Sequence, residues 1–173
     1  MQFEVSFAGP RGPTSRPFRR TRTSPTIELM SKRIGLVGCV KQKRSGSSPA
    51  QDLYTSPLFV SRRRYVERIC DEWWILSAEH GLIDPRQVIA WYDKTLKGAS
   101  TRDKRIWTEA VLGAIDRLVA PAPGDVLEVP AGSDYRDFGL IQGLRLRGAV
   151  VEIPTQGLTV GRQLQFYARN AEP

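Results

Sequence analysis

The sequence predicts a single α/β domain in which helices cover both faces of a central, mainly parallel sheet of four strands. Short apolar runs alternate with longer segments of helical periodicity, and each run ends in polar or glycine-rich residues. Strands that are apolar nearly throughout are typical of parallel sheets, whose right-handed crossovers carry helices. At 173 residues the chain is long enough to bury one core.

Four apolar runs are predicted as the strands, at residues 34–40, 73–77, 126–129 and 149–153. Helical periodicity covers residues 55–69, 100–119, 134–147 and 160–168. Residues 79–97 are interpreted as one long loop, which its aromatic residues predict to be ordered. Because the carboxyl ends of parallel strands meet at one edge of a sheet, the residues that follow the four strands should gather there.

Capping signals justify the helix starts. Thr55 or Ser56 can act as the first N-cap, and Pro57 fits the first turn, where its missing N–H costs nothing. Ser100 with Asp103 resembles a capping box at the second helix. The buried face of that second helix is predicted to consist of Ile106, Trp107, Ala110, Val111, Ala114, Ile115 and Leu118.

Three consecutive arginines occupy residues 62–64 of the first predicted helix. Arg62 shares a helical stripe with the apolar residues Leu58, Tyr65 and Ile69. Because the three arginines face three directions on a helix, the run is predicted to be a solvated surface.

Residues 1–31 are predicted to be a disordered basic tail, and residues 32–173 to be the α/β domain. The tail is rich in Pro, Gly and Arg and has no helical or strand periodicity. Of the net charge of +8, residues 1–33 hold +5, from seven Lys/Arg and two Glu. Two interpretations are open: the tail touches nucleic acid phosphates, or it is a translation-start artefact ahead of Met30.

Composition argues against several classes of protein. No apolar run approaches the roughly 20 residues that span a bilayer, and residues 3–8 are too short and polar for a secretory signal. Cys39 and Cys70 form no CxxC pair, and a single histidine gives no zinc set. We therefore expect a cytoplasmic protein with reduced thiols and with no cofactor, no metal and no membrane partner.

Glu79, His80 and Asp93 are the candidate catalytic residues. Glu79 and the only histidine follow the second strand directly, where an acid and an imidazole can activate water or stabilise charge in a transition state. Asp93 follows Tyr92, which places an acid beside an aromatic platform. In the structural alternative, His80 caps the next turn and Glu79 is solvated.

Six residues are predicted to bind substrate: Lys41, Lys43, Tyr92, Gly132, Tyr135 and Gln163. The two lysines follow the first strand and can hold a phosphate, although an ordinary basic loop explains them equally well. Gly132 lets a ligand approach the backbone, and Gln163 can read the edge of a base. Tyr135 can stack on a base or pack against the next helix. The nearby glycines match neither the dinucleotide nor the P-loop pattern.

Six motifs occur in order along the chain: Lys41 with Lys43, Asp-Leu-Tyr-Thr-Ser-Pro-Leu-Phe at 52–59, Ile-Leu-Ser-Ala-Glu-His-Gly-Leu at 75–82, Tyr-Asp-Lys-Thr-Leu at 92–96, Ala-Gly-Ser-Asp-Tyr at 131–135 and Gly-Arg-Gln-Leu at 161–164. Together they resemble a small bacterial and phage domain family that was long of unknown function. That family is similar to the peroxide-stress protein family and to a domain found with tRNA-guanine transglycosylases, and it has a uracil-DNA glycosylase-like fold. The resemblance covers residues 34–166.

Some members of the family are reported to act as DNA glycosylases against phages that carry modified bases. The resemblance therefore implies excision of a modified base from DNA, leaving an abasic site, in antiphage defence. Uracil-DNA glycosylases carry a water-activating Asp after the first strand, where this chain has Lys-Gln-Lys at 41–43. Their late His-Pro-Ser motif is also replaced, by Pro-Thr-Gln-Gly at 154–157.

These departures leave Glu79 and Asp93 as the candidate acids, with His80 as orienter or donor to the departing base. A loop lysine that forms a Schiff base with the opened sugar is a further route. The rival hypothesis is a non-catalytic nucleic-acid or nucleotide-binding module, which the missing glycosylase Asp favours. A closed pocket in which Glu79, His80 and Asp93 converge would indicate catalysis, and an open basic groove would indicate binding.

Overall fold

A computed structural model describes residues 31–171, so the prediction for the tail at residues 1–30 lies outside the described residues. In chain order the elements are β1 (Arg33–Gly38), β2 (Ser47–Pro49), α1 (Ala50–Leu53), α2 (Pro57–Ile69), β3 (Glu72–Ser77), β4 (Gly81–Ile83), β5 (Val88–Ala90), α3 (Thr101–Leu118), β6 (Val126–Glu128), α4 (Ser133–Arg136), α5 (Leu140–Leu146), β7 (Val150–Glu152) and α6 (Val160–Ala171).

The central sheet has five strands in the order β4-β3-β1-β6-β7. The four predicted strands are all present and pair in parallel, with Gly35 of β1 opposite Trp73 of β3 and Glu128 of β6. β7 continues the sheet, with Glu152 opposite Glu128. The prediction of a mixed α/β fold with a mainly parallel sheet is therefore confirmed.

The predicted count of four strands is wrong, because residues 79–97 are not one loop. Gly81 has a φ of +70°, which lets the chain fold straight back so that β4 pairs antiparallel with β3 at the sheet edge. Further along the same segment, β5 pairs with β2 in a separate two-stranded sheet. Strands of three residues are too short for a clear period of two in the sequence.

The helix starts follow their predicted caps. Ser56 Oγ accepts the backbone N–H of Phe59 at 3.2 Å, and Ser100 Oγ accepts that of Asp103 at 3.1 Å. The single helix predicted over residues 134–147 is instead broken into α4 and α5. Gly139 causes the break, since its φ of +112° lies outside the helical region.

Helices cover both faces of the sheet. Right-handed crossovers place α2 on one face and α3 with α5 on the other, and α6 packs against α2. The predicted buried face of α3 is correct for Trp107, Val111 and Ile115. It is wrong for Ala110, which is exposed, and for Ile106 and Leu118, which are more than half exposed, at 54% and 56%. They border a groove between α3 and β4 instead of facing the sheet. Among the helices of residues 31–171, none combines the length and apolar character that a membrane crossing requires.

Candidate functional site

The strand order creates a crevice between the carboxyl ends of β1 and β6. From β1 the chain crosses to β3 on one side, and from β3 it returns past β1 to β6 on the other. Such a topological switch point is where open α/β sheets bind their ligands. A hydrogen bond joins the two strand ends at the base of the crevice. The backbone N–H of Gly38 donates to the carbonyl of Pro130 at 3.1 Å.

A cleft of about 360 Å³ opens at this crevice, and we call it the switch-point cleft. The loops after β1, β6 and β7 line it together with α2 and α6. It brings together three of the predicted binding residues, Gly132, Tyr135 and Gln163. Its volume lies at the small end of the range for ligand pockets.

Tyr135 is held inside the wall of the switch-point cleft. Its hydroxyl lies 3.0 Å from Cys39 Sγ, and its ring meets that of Trp107 edge-on with 5.3 Å between the ring centroids. Burial raises the pKa of Tyr135, so its phenol stays protonated at neutral pH. With 8% of its surface exposed, it offers a ligand little area for stacking.

Gln163 is also engaged within the protein. Its Oε1 accepts a hydrogen bond from Arg62 Nη2 at 2.9 Å, and its Nε2 donates to the carbonyl of Leu158 at 2.9 Å. The amide therefore fixes a buried arginine and a loop of the cleft. Only the second lone pair of Oε1 and the second proton of Nε2 are left for a base edge.

A second group of side chains surrounds Lys43, beside the ends of β1 and β3. Lys43 Nζ lies 4.2 Å from the ring centroid of Tyr92 and 5.8 Å from that of Tyr54. The Tyr92 hydroxyl is 2.7 Å from the Tyr54 hydroxyl and 2.8 Å from Ser77 Oγ. Burial lowers the pKa of Lys43, and the nearby Cys39 and Asp93 oppose that shift. We call Lys43, Tyr54, Ser77 and Tyr92 the lysine–tyrosine cluster.

His80 and Glu79 are anchored to this cluster through their backbone. The N–H groups of Glu79 and His80 donate to Ser77 Oγ at 3.2 and 3.1 Å. The His80 ring lies edge-on to Tyr92, with 5.2 Å between ring centroids. The Glu79 carboxylate is exposed and lies 3.3 Å from Lys94 Nζ. Ser77 thus shapes the turn that carries Glu79 and His80, two of the three predicted catalytic residues.

The remaining predicted residues lie at the outer side of the cluster. Asp93 is exposed, and its charge acts on Lys43. Lys41 is also exposed, and its carbonyl accepts a long hydrogen bond of 3.4 Å from Lys43 Nζ.

The predicted residues therefore divide between neighbouring regions of one sheet edge. Glu79 and His80 line an apolar groove of about 740 Å³ between β4 and α3, and the switch-point cleft lies beyond Tyr135. Trp107 contributes to the wall between them, and its Nε1 donates to the Ser77 carbonyl at 2.8 Å. Asp93 lines neither cavity, so Glu79, His80 and Asp93 do not converge in either of them.

Two arginines in the switch-point cleft, Arg62 and Arg136, were not predicted as site residues. The prediction that residues 62–64 form a solvated surface is wrong for Arg62, which is 4% exposed, and holds for the exposed Arg64. The sequence carries a signal for the burial of Arg62, which shares an apolar helical stripe with Leu58 and Tyr65. A charge on a buried helix face needs a partner, and this marks Arg62 as a candidate site residue.

Fold and cleft together define an α/β protein whose candidate site lies at the switch point of a mainly parallel sheet. The chain belongs to the family described as "Family of unknown function (DUF6884)", whose model matches residues 34–169. It is also similar to "Uncharacterized protein YfjM" of Bacillus subtilis (strain 168), with 37% identity over 71 residues. That match covers 37% of this chain and 47%, about half, of the relative. No solved structure matches the chain.

Proposed function

We propose that the protein is a DNA glycosylase with a uracil-DNA glycosylase-like fold, which excises a modified base and leaves an abasic site in antiphage defence. One observation carries the proposal. A ligand-sized cleft at the switch point adjoins an acid, an imidazole and a half-buried amine at the same sheet edge. The extruded nucleotide spans this sheet edge, from the cleft to the side of Glu79 and His80, since a glycosylase must remove its target base from the stack.

The proposed chemistry assigns a role to each predicted residue. Glu79 or Asp93 stabilises the oxocarbenium-like transition state and activates water, and His80 donates to the departing base. Tyr92 and Lys43 contact the sugar and the phosphate of the same nucleotide. The Tyr92–Ser77 hydrogen bond of 2.8 Å holds the turn of His80 in place, so the imidazole is positioned before substrate arrives.

A second candidate function is a non-catalytic nucleic-acid or nucleotide-binding module. Glu79 is paired with Lys94 at 3.3 Å, and among residues 31–171 no carboxylate lines the switch-point cleft. Both features suit recognition of an anion without bond cleavage. The two functions differ in one measurable product, the abasic site.

The test is base release from DNA duplexes that carry different modified bases, assayed as alkali-labile abasic sites. On the substrate that responds, Glu79→Gln or Asp93→Asn should lower the release rate by about 100-fold or more while DNA binding survives, because the charge acts in the transition state. Glu109→Gln, which removes an exposed acid from the outside of α3, should keep the wild-type rate.

Two outcomes decide against parts of this proposal. Wild-type rates for both Glu79→Gln and Asp93→Asn would show that neither is the catalytic carboxylate. Borohydride trapping of a protein–DNA adduct that Lys43→Arg abolishes would then assign the chemistry to the amine. Absence of abasic sites on every duplex, with DNA binding intact, would favour the binding module.

A further inference from the structure

Two arginines meet in the switch-point cleft. Arg62 extends from α2 and is 4% exposed, and Arg136 is the last residue of α4. Burial lowers the pKa of Arg62, and the positive charge of Arg136 acts in the same direction, while Tyr167 opposes both. A guanidinium keeps its proton under such conditions, so the cleft carries two positive charges at neutral pH.

Within residues 31–171, no carboxylate balances these charges. Four other arginines, Arg33, Arg63, Arg86 and Arg147, each lie within 4.0 Å of an Asp or Glu oxygen, whereas Arg62 and Arg136 have no such neighbour in that part of the chain. The Nε atoms of both are buried and make no hydrogen bond to a described residue. Buried charges are normally paired, because desolvation costs several kcal/mol per ion.

We infer that the switch-point cleft binds a phosphoryl group between the guanidinium groups of Arg62 and Arg136. The planar fork of arginine matches two phosphate oxygens, and an anion in the cleft supplies the missing counter-charge. Gln163 stabilises the arrangement, since its bond to Nη2 fixes the orientation of Arg62. The phosphoryl group belongs to a nucleotide, either as a terminal phosphate or as a phosphodiester of a DNA strand.

This inference stands without the glycosylase proposal, because it concerns binding and not base release. Three probes test whether binding needs a phosphate and which kind of phosphate is bound. They are dTMP, thymidine as the matched compound without phosphate, and a short single-stranded oligonucleotide without terminal phosphates. Calorimetric titration of the full chain gives the affinities. We expect thymidine to bind at least about tenfold more weakly than the tighter of the two phosphate-bearing probes.

Arg136→Gln should weaken that phosphate-dependent binding by about tenfold or more, because it removes one charged donor. Arg64→Gln is the matched control, since Arg64 lies exposed on the helix that carries Arg62 and its loss changes net charge equally. It should alter affinity by less than about twofold. Arg62→Lys keeps the charge but loses the fork, and should also weaken binding.

The source of the phosphate follows from the probes. Arg136-dependent binding of dTMP identifies a terminal phosphate, and Arg136-dependent binding of the oligonucleotide alone identifies a phosphodiester. Equal losses in Arg136→Gln and Arg64→Gln would overturn the inference, as would thymidine binding as tightly as both other probes. Circular dichroism shows whether each variant is folded. If Arg136→Gln is unfolded, the binding of Arg136→Lys is measured in its place, and it should also be weaker than that of the wild type.

Discussion

At the scale of single residues, Glu128 is a buried carboxylate beside a second carboxylate. It lies on β6, is 1% exposed, and shares the Arg33 guanidinium with Glu152, its neighbour across the β6–β7 pair. Burial and the adjacent carboxylate raise the pKa of Glu128 to about 7, against the opposing effect of Arg33. Glu152 is more exposed, and its hydrogen bond from Arg33 lowers its pKa. We therefore assign the titration near neutral pH to Glu128.

Replacement of Glu128 by Gln should flatten the dependence of stability on pH. A glutamate in the unfolded chain titrates near 4.3, so ionisation of the buried group becomes increasingly unfavourable to folding as pH rises towards about 7. The stabilising effect of the protonated form is complete below about pH 4.3 and is lost as pH rises through the folded pKa. The loss amounts to about 2–4 kcal/mol in the free energy of unfolding.

Urea denaturation at about pH 5 and about pH 8 measures this difference. Glu128→Gln should lose less stability between the two than the wild type does. Glu109→Gln, at an exposed position of α3, should keep the wild-type difference. Equal differences for wild type and Glu128→Gln would show that Glu128 does not titrate in this range.

At the scale of elements, the switch-point cleft depends on the close approach of β1 and the loop that follows β6. A Cβ atom added at Gly38 would lie 2.8 Å from Ala131 Cβ and 2.9 Å from Ala131 Cα. The obstacle is backbone and Cβ, so no rotation of a side chain can relieve it. Gly132 stands next to this contact, and a Cβ added there meets nothing within 4 Å.

Gly38→Ala should therefore destabilise the protein by about 1–3 kcal/mol, the usual cost of an overpacked contact. Gly132→Ala, at an ordinary φ of −70°, should change the free energy of unfolding by less than about 1 kcal/mol. Urea denaturation of the two variants beside the wild type measures both values. Equal stabilities of the two alanine variants would show that β1 and the loop after β6 can move apart at Gly38 with no loss in the free energy of unfolding.

At the scale of the whole molecule, the sequence predicted the parallel strands because each is a buried run long enough to be recognised. β4 was missed because three residues, Gly81–Ile83, carry no measurable period, and their pairing with β3 depends on a glycine turn. The division of the helix predicted over residues 134–147 becomes visible only from the backbone angle of Gly139. Short elements fixed by tertiary contacts are thus the part of this fold that periodicity does not predict.

The candidate site was predictable as a sheet edge but not as a set of cavities. Strand order is required to find the switch point, and the sequence alone does not give that order. The burial of Arg62 depends on Gln163, 101 residues later in the chain. Likewise, Tyr135 is turned towards Cys39 by a contact across 96 residues. Long-range packing therefore decides which of the predicted residues lie in the same cleft.

The charge of the whole chain leads to a last prediction, on the first 29 residues, which contain five Arg and two Glu. A protein that begins at Met30 should keep the melting temperature of the full chain, since the buried apolar cluster runs from Ile34 to Tyr167. Its affinity for DNA should fall, and the slope of log affinity against log salt should become shallower by about 0.9 for each arginine that neutralised a phosphate. Fluorescence anisotropy at several salt concentrations measures the slope. A lower melting temperature would place these residues in the fold, and an unchanged slope would show that they do not touch phosphates.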